Sequence, residues 1–178
     1  QDTLDYNECL YGGYAQSKWV AERLVTIARH RGLPVCIYRP AIVTGHSQTG
    51  VFNTDSYLEQ MMKGCIQLKR APSLETIVDM VPVDYVSQAI VQLSLQPESL
   101  GKVFHITNPN PIHSSALFDW IHALGYPLRR MPYETWKREL FDAEDFVENA
   151  LSPFWEFLAD MQANQLNMPQ YDAKNTRE

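Results

Sequence analysis

Several features that would define a class of protein are missing from this sequence of 178 residues. No apolar run approaches the ~20 residues that a membrane-spanning helix needs, and no signal peptide opens the sequence as given. Lysine and arginine form no cluster, and the formal net charge is −6, which argues against nucleic-acid binding. We therefore expect neither a membrane nor a nucleic acid as a partner.

Cysteine is scarce, with three residues at positions 9, 36 and 65. Their odd number and the lack of a C-x-x-C spacing argue against a disulfide framework or a zinc site. Cys36 stands in an apolar segment and is expected to pack as a small core residue. This usage is typical of a reducing, cytoplasmic setting.

Glycine-rich phosphate loops are also missing. There is no G-x-G-x-x-G and no strand before the first predicted helix, so the phosphate-cradling half of a dinucleotide fold is not represented. Gly45 and Gly50 span a P-loop interval, but Val51 and Phe52 stand where lysine and Ser/Thr are required. The sequence, which begins at Gln1 without methionine, is expected to be an internal piece of something larger.

The most informative feature present is a tyrosine and a lysine four residues apart, Tyr14 and Lys18. This spacing places both side chains on one face of a helix predicted over residues 15–31. A phenol there can act as a general acid toward a carbonyl oxygen, because a nearby ammonium favours its phenolate form. Tyr133 and Lys137 have the same spacing, but an acidic helix rather than a strand follows them.

Apolar periodicity predicts an α/β order in which the Tyr14 helix leads into a buried strand and then Arg39 and Pro40. Thr54 or Asp55, and Ser114 or Ser115, are expected to cap helices. The predicted strands are residues 35–38, 76–81 and 103–107. The predicted helices are residues 15–31, 54–64, 83–95, 114–124, 133–140, 143–151 and 153–161, and residues 67–75 are expected to form a loop.

Two other candidate features have ordinary interpretations. His105 lies inside a predicted strand and is expected to be a packed imidazole, since nothing nearby in sequence would activate it. The carboxylates of residues 139–148 are expected to form a solvated face, because no histidine stands among them. We predict no metal site.

With these motifs in place, the chain resembles the extended short-chain dehydrogenase/reductase superfamily. More narrowly, it is similar to the thioester reductase domains that terminate nonribosomal peptide and polyketide synthetases, and to alpha-aminoadipate and carboxylic acid reductases. The stretch that narrows the resemblance is residues 39–55. The stretches that carry the resemblance are residues 13–22, 39–50, 53–55, 63–68, 81–86, 105–109 and 172–176.

The resemblance implies the C-terminal portion of an extended Rossmann-type α/β fold, with a mostly helical substrate-binding subdomain and without the N-terminal cofactor-binding half. Residues 1–44 and 81–107 would be the remainder of the Rossmann-type domain. Residues 45–80 and 108–178 would form the substrate-binding subdomain.

The implied reaction is NADPH-dependent reduction of an acyl or peptidyl thioester on a carrier protein's phosphopantetheine arm, which releases an aldehyde or alcohol. By resemblance, Tyr14 protonates the developing oxyanion, and Lys18 assists that phenol and binds the nicotinamide ribose. Pro40, Ala41 and Ile42 would line the nicotinamide carboxamide through backbone groups. The family's third catalytic residue, a Ser or Thr, lies further upstream than this sequence extends.

The implied partners are the carrier protein and the upstream half of the same domain, in a monomer. The 178-residue chain alone is expected to be inactive and to bind NADPH weakly. Two alternatives stay open at this point. One is an extended-family enzyme acting on a nucleotide sugar, and the other is a non-catalytic module that docks a carrier protein through residues 133–161.

Overall fold

The computed structural model describes residues 12–161 and 171–177. Its helices are α1 (Gly12–His30), α2 (Tyr57–Leu68), α3 (Val83–Ser94), α4 (Ser114–Ala123), α5 (Tyr133–Phe141), α6 (Trp155–Asp160) and α7 (Lys174–Arg177). Its strands are β1 (Ile37–Pro40), β2 (Ile42–Thr44), β3 (Arg70–Ser73), β4 (Ile77–Val78), β5 (Met80–Pro82), β6 (Val103–Ile106), β7 (Ile112–His113) and β8 (Arg129–Pro132).

The chain divides into two compact units. The first unit comprises residues 1–40, 85–106 and 172–178, and the second comprises residues 41–84 and 107–171. The assignment of the units to cofactor and substrate binding stays a prediction.

In the first unit, β1 and β6 pair in parallel, with Ile37 opposite Val103 and Arg39 opposite His105. The apolar residues of β6 alternate into the core, where Phe104 and Ile106 are buried, as the two-residue period of a strand requires. The Tyr38 ring stacks on the Phe104 ring at a centroid distance of 5.6 Å. Parallel strands need a crossover connection, which is typical of the α/β class.

Among the described residues, the second unit contains three two-stranded ladders. β2 pairs in parallel with β5, β3 pairs in parallel with β8, and β4 pairs antiparallel with β7. The helices α2, α4 and α5 contact β3, β7 and β8. Buried residues of these helices, of β3 and β8, and of residues 151–158 form a single cluster: Met61, Cys65, Ala71, Phe118, Ile121, Met131, Tyr133, Trp136, Leu140, Leu151 and Leu158.

Trp136 is the largest fully buried side chain of this cluster. Side chains of this size contribute about 1.5–3 kcal/mol each when they leave water, so the cluster accounts for the compactness of the second unit. Burial also raises the pKa of the Cys65 thiol to about 12. Cys65 is therefore an inert core residue.

The predicted loop at residues 67–75 is wrong, because residues Arg70–Ser73 form β3. Pro72 argued against a strand, since proline has no N–H for a ladder. Proline is nevertheless tolerated in an edge strand, where its missing donor can face away from the partner. In the part of the chain that the structure describes, β3 and β8 form a two-stranded ladder, so both are edge strands, and Pro72 lies opposite Met131.

Both predicted helix caps are wrong by one or two residues. α2 begins after Ser56, and the Asn53 side-chain oxygen instead accepts a hydrogen bond from the Asp55 N–H at 3.1 Å, which forms a turn. α4 begins after His113, whose ring accepts from the Ser115 N–H. The Ser114 hydroxyl donates to the Leu74 carbonyl at 2.6 Å and is therefore not a cap.

The helix predicted at residues 143–151 is replaced by one 3₁₀ turn, Phe146–Glu148. The segment that follows bonds to α2 instead of continuing a helix. Asn149 donates from its side chain to the Gly64 carbonyl at 3.2 Å, and the Ala150 N–H donates to the Gln67 side chain at 2.7 Å. Tertiary bonds therefore override the local apolar period here.

Candidate active site

Tyr14 and Lys18 lie one turn apart on α1, as their spacing predicts. The Lys18 Nζ is 5.5 Å from the centroid of the Tyr14 ring, within the range of a cation–π contact. Tyr14 is 78% exposed, so a molecule in solution can reach its phenol. The structure brings together a proton donor and a fixed positive charge.

The second pair has nearly the same geometry and the opposite environment. The Lys137 Nζ is 5.9 Å from the centroid of the Tyr133 ring, but Tyr133 is only 4% exposed. Burial raises the pKa of Tyr133 to about 12. Lys137 donates to the Ala159 and Met161 carbonyls at 2.9 and 3.0 Å. This pair holds the end of α6 and is structural.

The polar side chain one turn beyond Lys18 is Glu22, and it binds Arg39 of β1 through both carboxylate oxygens. Arg39 Nε donates to one oxygen at 3.1 Å, and its terminal NH₂ donates to the other. The two side chains are 20% and 24% exposed. This pair was not predicted from the sequence, although Glu22 lies four residues after Lys18 on the same helix face.

His105 extends the network, because the third nitrogen of Arg39 lies 3.0 Å from its Nε2. The other ring nitrogen lies 3.0 Å from the Asp172 carbonyl oxygen. The imidazole is thus held on both sides, in agreement with the expectation of a packed histidine.

The three predicted carboxamide-lining residues lie at the end of β1 and the start of β2. Pro40 ends β1 and has no N–H, while the Ile42 N–H donates to the Asp79 carbonyl at 3.1 Å within the second unit. The backbone donor that this stretch can offer a ligand is therefore the Ala41 N–H, together with the carbonyl groups.

The loop that follows β2 is closed on itself. The Gln48 and Thr49 N–H groups point to the His46 ring nitrogen at 3.2 and 3.4 Å, so they do not form a phosphate cradle. Ser47 binds Asp84 at the start of α3 through its N–H at 2.9 Å and its hydroxyl at 2.7 Å. These two bonds hold the pKa of the Asp84 carboxyl below its ordinary value.

Within residues 12–161 and 171–177, which the structure describes, no group of three or more His, Cys, Asp or Glu side chains is arranged to hold a metal ion. In the same ranges, none of the helices combines the length and apolar character needed to cross a bilayer. In the acidic stretch, Glu139 contacts Arg70 at 2.5 Å, so this carboxylate is paired rather than simply solvated.

An α/β fold with an exposed tyrosine and lysine on the helix before a parallel strand defines the class of extended short-chain dehydrogenases/reductases. The chain belongs to the NAD-binding family described as male sterility protein, which matches residues 1–90. This family is one of oxidoreductases, and its NAD-binding character implies a nicotinamide cofactor.

Individual relatives show which members of this class the chain is similar to. The L-2-aminoadipate reductase of Saccharomyces cerevisiae is 37% identical over 181 residues, which is 98% of this chain and 13% of that protein. The terminal R domain from the myxalamid PKS-NRPS biosynthetic pathway is 45% identical with a TM-score of 0.86, over 94% of this chain and 43% of that one.

A thiolation-reductase di-domain from an archaeal non-ribosomal peptide synthetase is 26% identical with a TM-score of 0.71, over 98% of this chain and 41% of that one. The chain therefore spans less than half of the length of each relative described. The resemblance to thioester reductase domains and the predicted α/β fold class are confirmed. The roles of Tyr14, Lys18, Pro40, Ala41 and Ile42 stay predictions.

Proposed function

We propose that this chain is part of a reductase that uses NADPH to release a carrier-protein-bound acyl or peptidyl thioester as an aldehyde or alcohol. Relatives that cover nearly all of this chain support the proposal, and they include an aminoadipate reductase and synthetase R domains. The matched thiolation-reductase di-domain supports a carrier protein with a phosphopantetheine arm as the partner.

The observation that carries the proposal is the environment of Tyr14. Its phenol is 78% exposed and lies beside the Lys18 ammonium, so the donor set suits a carbonyl oxygen and neighbouring sugar hydroxyls. A general acid must reach its substrate by a hydrogen bond. The buried Tyr133 cannot do so, although it has the same partner at the same spacing.

A bound nicotinamide supplies the hydride for this reaction. Tyr14 holds the proton at its phenolic oxygen and donates it to the thioester carbonyl oxygen as negative charge develops there. The hemithioacetal formed on the substrate then breaks its C–S bond, and the hydroxyl proton leaves with the pantetheine thiol, which releases the aldehyde. Lys18 then stabilises the phenolate that remains, since a positive charge favours that form, and it offers N–H donors to ribose hydroxyls. The carbonyls of Pro40 and Ala41, with the Ala41 N–H and the Ile42 backbone, would hold the carboxamide.

The test uses a reductase domain of the relatives' length that contains this chain. Tyr14→Phe removes the donor and keeps the ring under the Lys18 ammonium. We expect the turnover number to fall about 10²–10⁴-fold, the range for a lost general acid, with little change in NADPH affinity. The measurement is NADPH oxidation with a pantetheine thioester, beside calorimetric titration with NADPH.

Tyr133→Phe is the matched control. The Tyr133 hydroxyl is buried without a hydrogen-bond partner among the described residues, so its removal should leave both turnover and folding intact. A Tyr14→Phe variant that keeps the wild-type rate would contradict the assignment of Tyr14 as the acid.

We also propose that the enzyme prefers NADPH, is a monomer and works in the cytoplasm. Among the alternatives, a nucleotide-sugar enzyme and a non-catalytic docking module, no contact in the described residues favours either over the reductase.

A further inference from the structure

α1 carries the candidate catalytic pair, and a catalytic donor has to be held to within a fraction of an ångström. Polar contacts tie this helix to β1 within the first unit. These contacts restrain the rotation of α1, whatever apolar packing the rest of a complete domain adds, and so supply part of that constraint.

Glu22 is placed to supply it. Tyr14, Lys18 and Glu22 stand at successive four-residue steps, each of which advances about 40° around the helix and about 6 Å along it. All three therefore share one face. The planar guanidinium of Arg39 donates hydrogen bonds from two nitrogens to the Glu22 carboxylate. A bidentate contact fixes the relative orientation of the two side chains, which a single hydrogen bond does not.

Arg39 in turn contacts His105 of β6. A guanidinium only donates hydrogen bonds, so its contact with His105 at 3.0 Å makes Nε2 the acceptor. The ring proton then resides on Nδ1 and is donated to the Asp172 carbonyl at 3.0 Å. The next turn of chain is tied to the same strand, because Thr176 donates to the His105 carbonyl at 2.7 Å.

We propose that Arg39, oriented by His105, is a positioning residue that sets the rotation of α1 through Glu22 and so aims Tyr14 and Lys18. The expected effect on turnover rests on the proposed function. The structural claim, that Arg39 holds the first half of α1 through Glu22, does not depend on the proposed function.

The experiment compares three variants in the reductase domain that contains this chain: Arg39→Met, Glu22→Gln and the double variant. Each keeps the approximate side-chain volume and removes the fork. We expect the turnover number to fall about 10- to 100-fold, the scale of a small misplacement of a catalytic group. The KM for the thioester should change less than the turnover number. The double variant should lose no more than the larger single loss, because both residues act as one unit.

Hydrogen exchange of the free domain provides a readout that needs no activity. In Arg39→Met, the amides of residues 14–22 should exchange faster, while those of residues 24–30 should not. Arg29→Met is the matched control, since Arg29 ties the other end of α1 to the Gly101 carbonyl at 2.9 Å. That variant should speed exchange at residues 24–30 and leave the turnover number near the wild-type value.

Several results would overturn the proposal. They are wild-type turnover in a folded Arg39→Met or Glu22→Gln protein, equal turnover losses in Arg29→Met, or unchanged exchange over residues 14–22. If Arg39→Met does not fold, Glu22→Gln decides, because it keeps the shape of the side chain. If the wild-type domain reduces no thioester, the proposed function fails, and the exchange comparison alone still decides whether Arg39 holds α1.

Discussion

The two tyrosine–lysine pairs have the same spacing in sequence, but they differ in exposure and therefore in the chemistry open to them. The phenol of Tyr14 is open to solvent, whereas Tyr133 packs in the core of the second unit and Lys137 is committed to two carbonyl groups. A proton donor in water can meet a carbonyl substrate, and a buried one cannot. The sequence separates the pairs through their neighbours, since a strand follows the Tyr14 helix and none was predicted after Tyr133.

Asp84 gives a prediction at the residue scale. The N–H and hydroxyl of Ser47 favour its ionised form and hold its folded-state pKa below the ordinary value of 3.8. A carboxyl with a lowered pKa stabilises the fold above its unfolded-state pKa and loses that contribution as pH falls through the folded value. We expect NMR titration to place the Asp84 pKa below 3.8, and Ser47→Ala to raise it.

Asp84→Asn tests the same bonds through stability. This variant should lack the acid-dependent loss of stability that Asp84 causes in the wild type, so the difference in melting temperature between the two proteins should narrow below pH ~4. A folded-state pKa that Ser47→Ala leaves unchanged would show that Ser47 is not its cause.

The candidate catalytic pair could be predicted from the sequence, whereas the residues that hold it could not. Tyr14 and Lys18 are linked by local helical spacing. Glu22 meets Arg39 only because α1 lies beside β1, and Arg39 meets His105 only because β1 and β6 pair in that register. Such contacts depend on the tertiary arrangement, and a single sequence does not contain it.

At the scale of the elements, a glycine in α2 allows another segment to pack closely against that helix. A Cβ at Gly64 would lie 2.7 Å from the Asn149 side-chain oxygen and 2.7 Å from Leu151 Cγ, closer than van der Waals contact permits. Gly64 thus allows the segment at residues 149–151 to pack against the helix. Leu151 is fully buried there.

Gly64→Ala should therefore destabilise the second unit. Overpacking costs about 1–3 kcal/mol, and it outweighs the helix-propensity gain of about 1 kcal/mol for this change. Thermal denaturation should show a lower melting temperature.

Gly13→Ala, also in a helix, provides the control, because its added Cβ meets no atom of the described residues within 4 Å and should cost nothing. A Gly64→Ala variant at least as stable as the wild type would refute the close packing of residues 149–151 on α2.

The sequence predicts well the elements whose apolar residues recur at helical spacing within one continuous segment. α1 and α3 begin and end within a few residues of their predicted bounds. β3 was missed because Pro72 is acceptable only at a sheet edge, which the sequence does not reveal. The helix expected at residues 143–151 was lost to bonds with Gly64 and Gln67, which lie about 80 residues away in sequence.

At the scale of the whole molecule, the two units differ in what they contribute. The first carries the exposed Tyr14–Lys18 pair and the polar network around Arg39. The second carries the main apolar cluster. The relatives described match this chain over most of its length, so the similarity extends to both units.

The central claim is that this chain belongs to an enzyme that reduces a carrier-bound thioester. The most direct measurement follows NADPH oxidation and free thiol together, in a reductase domain of the relatives' length, with an acyl-pantetheine thioester as substrate and a nucleotide sugar as comparison. We expect thiol release to require NADPH, to accompany aldehyde or alcohol formation and to fall about 10²–10⁴-fold in Tyr14→Phe. Thiol release without NADPH oxidation, or turnover of the nucleotide sugar alone, would contradict it.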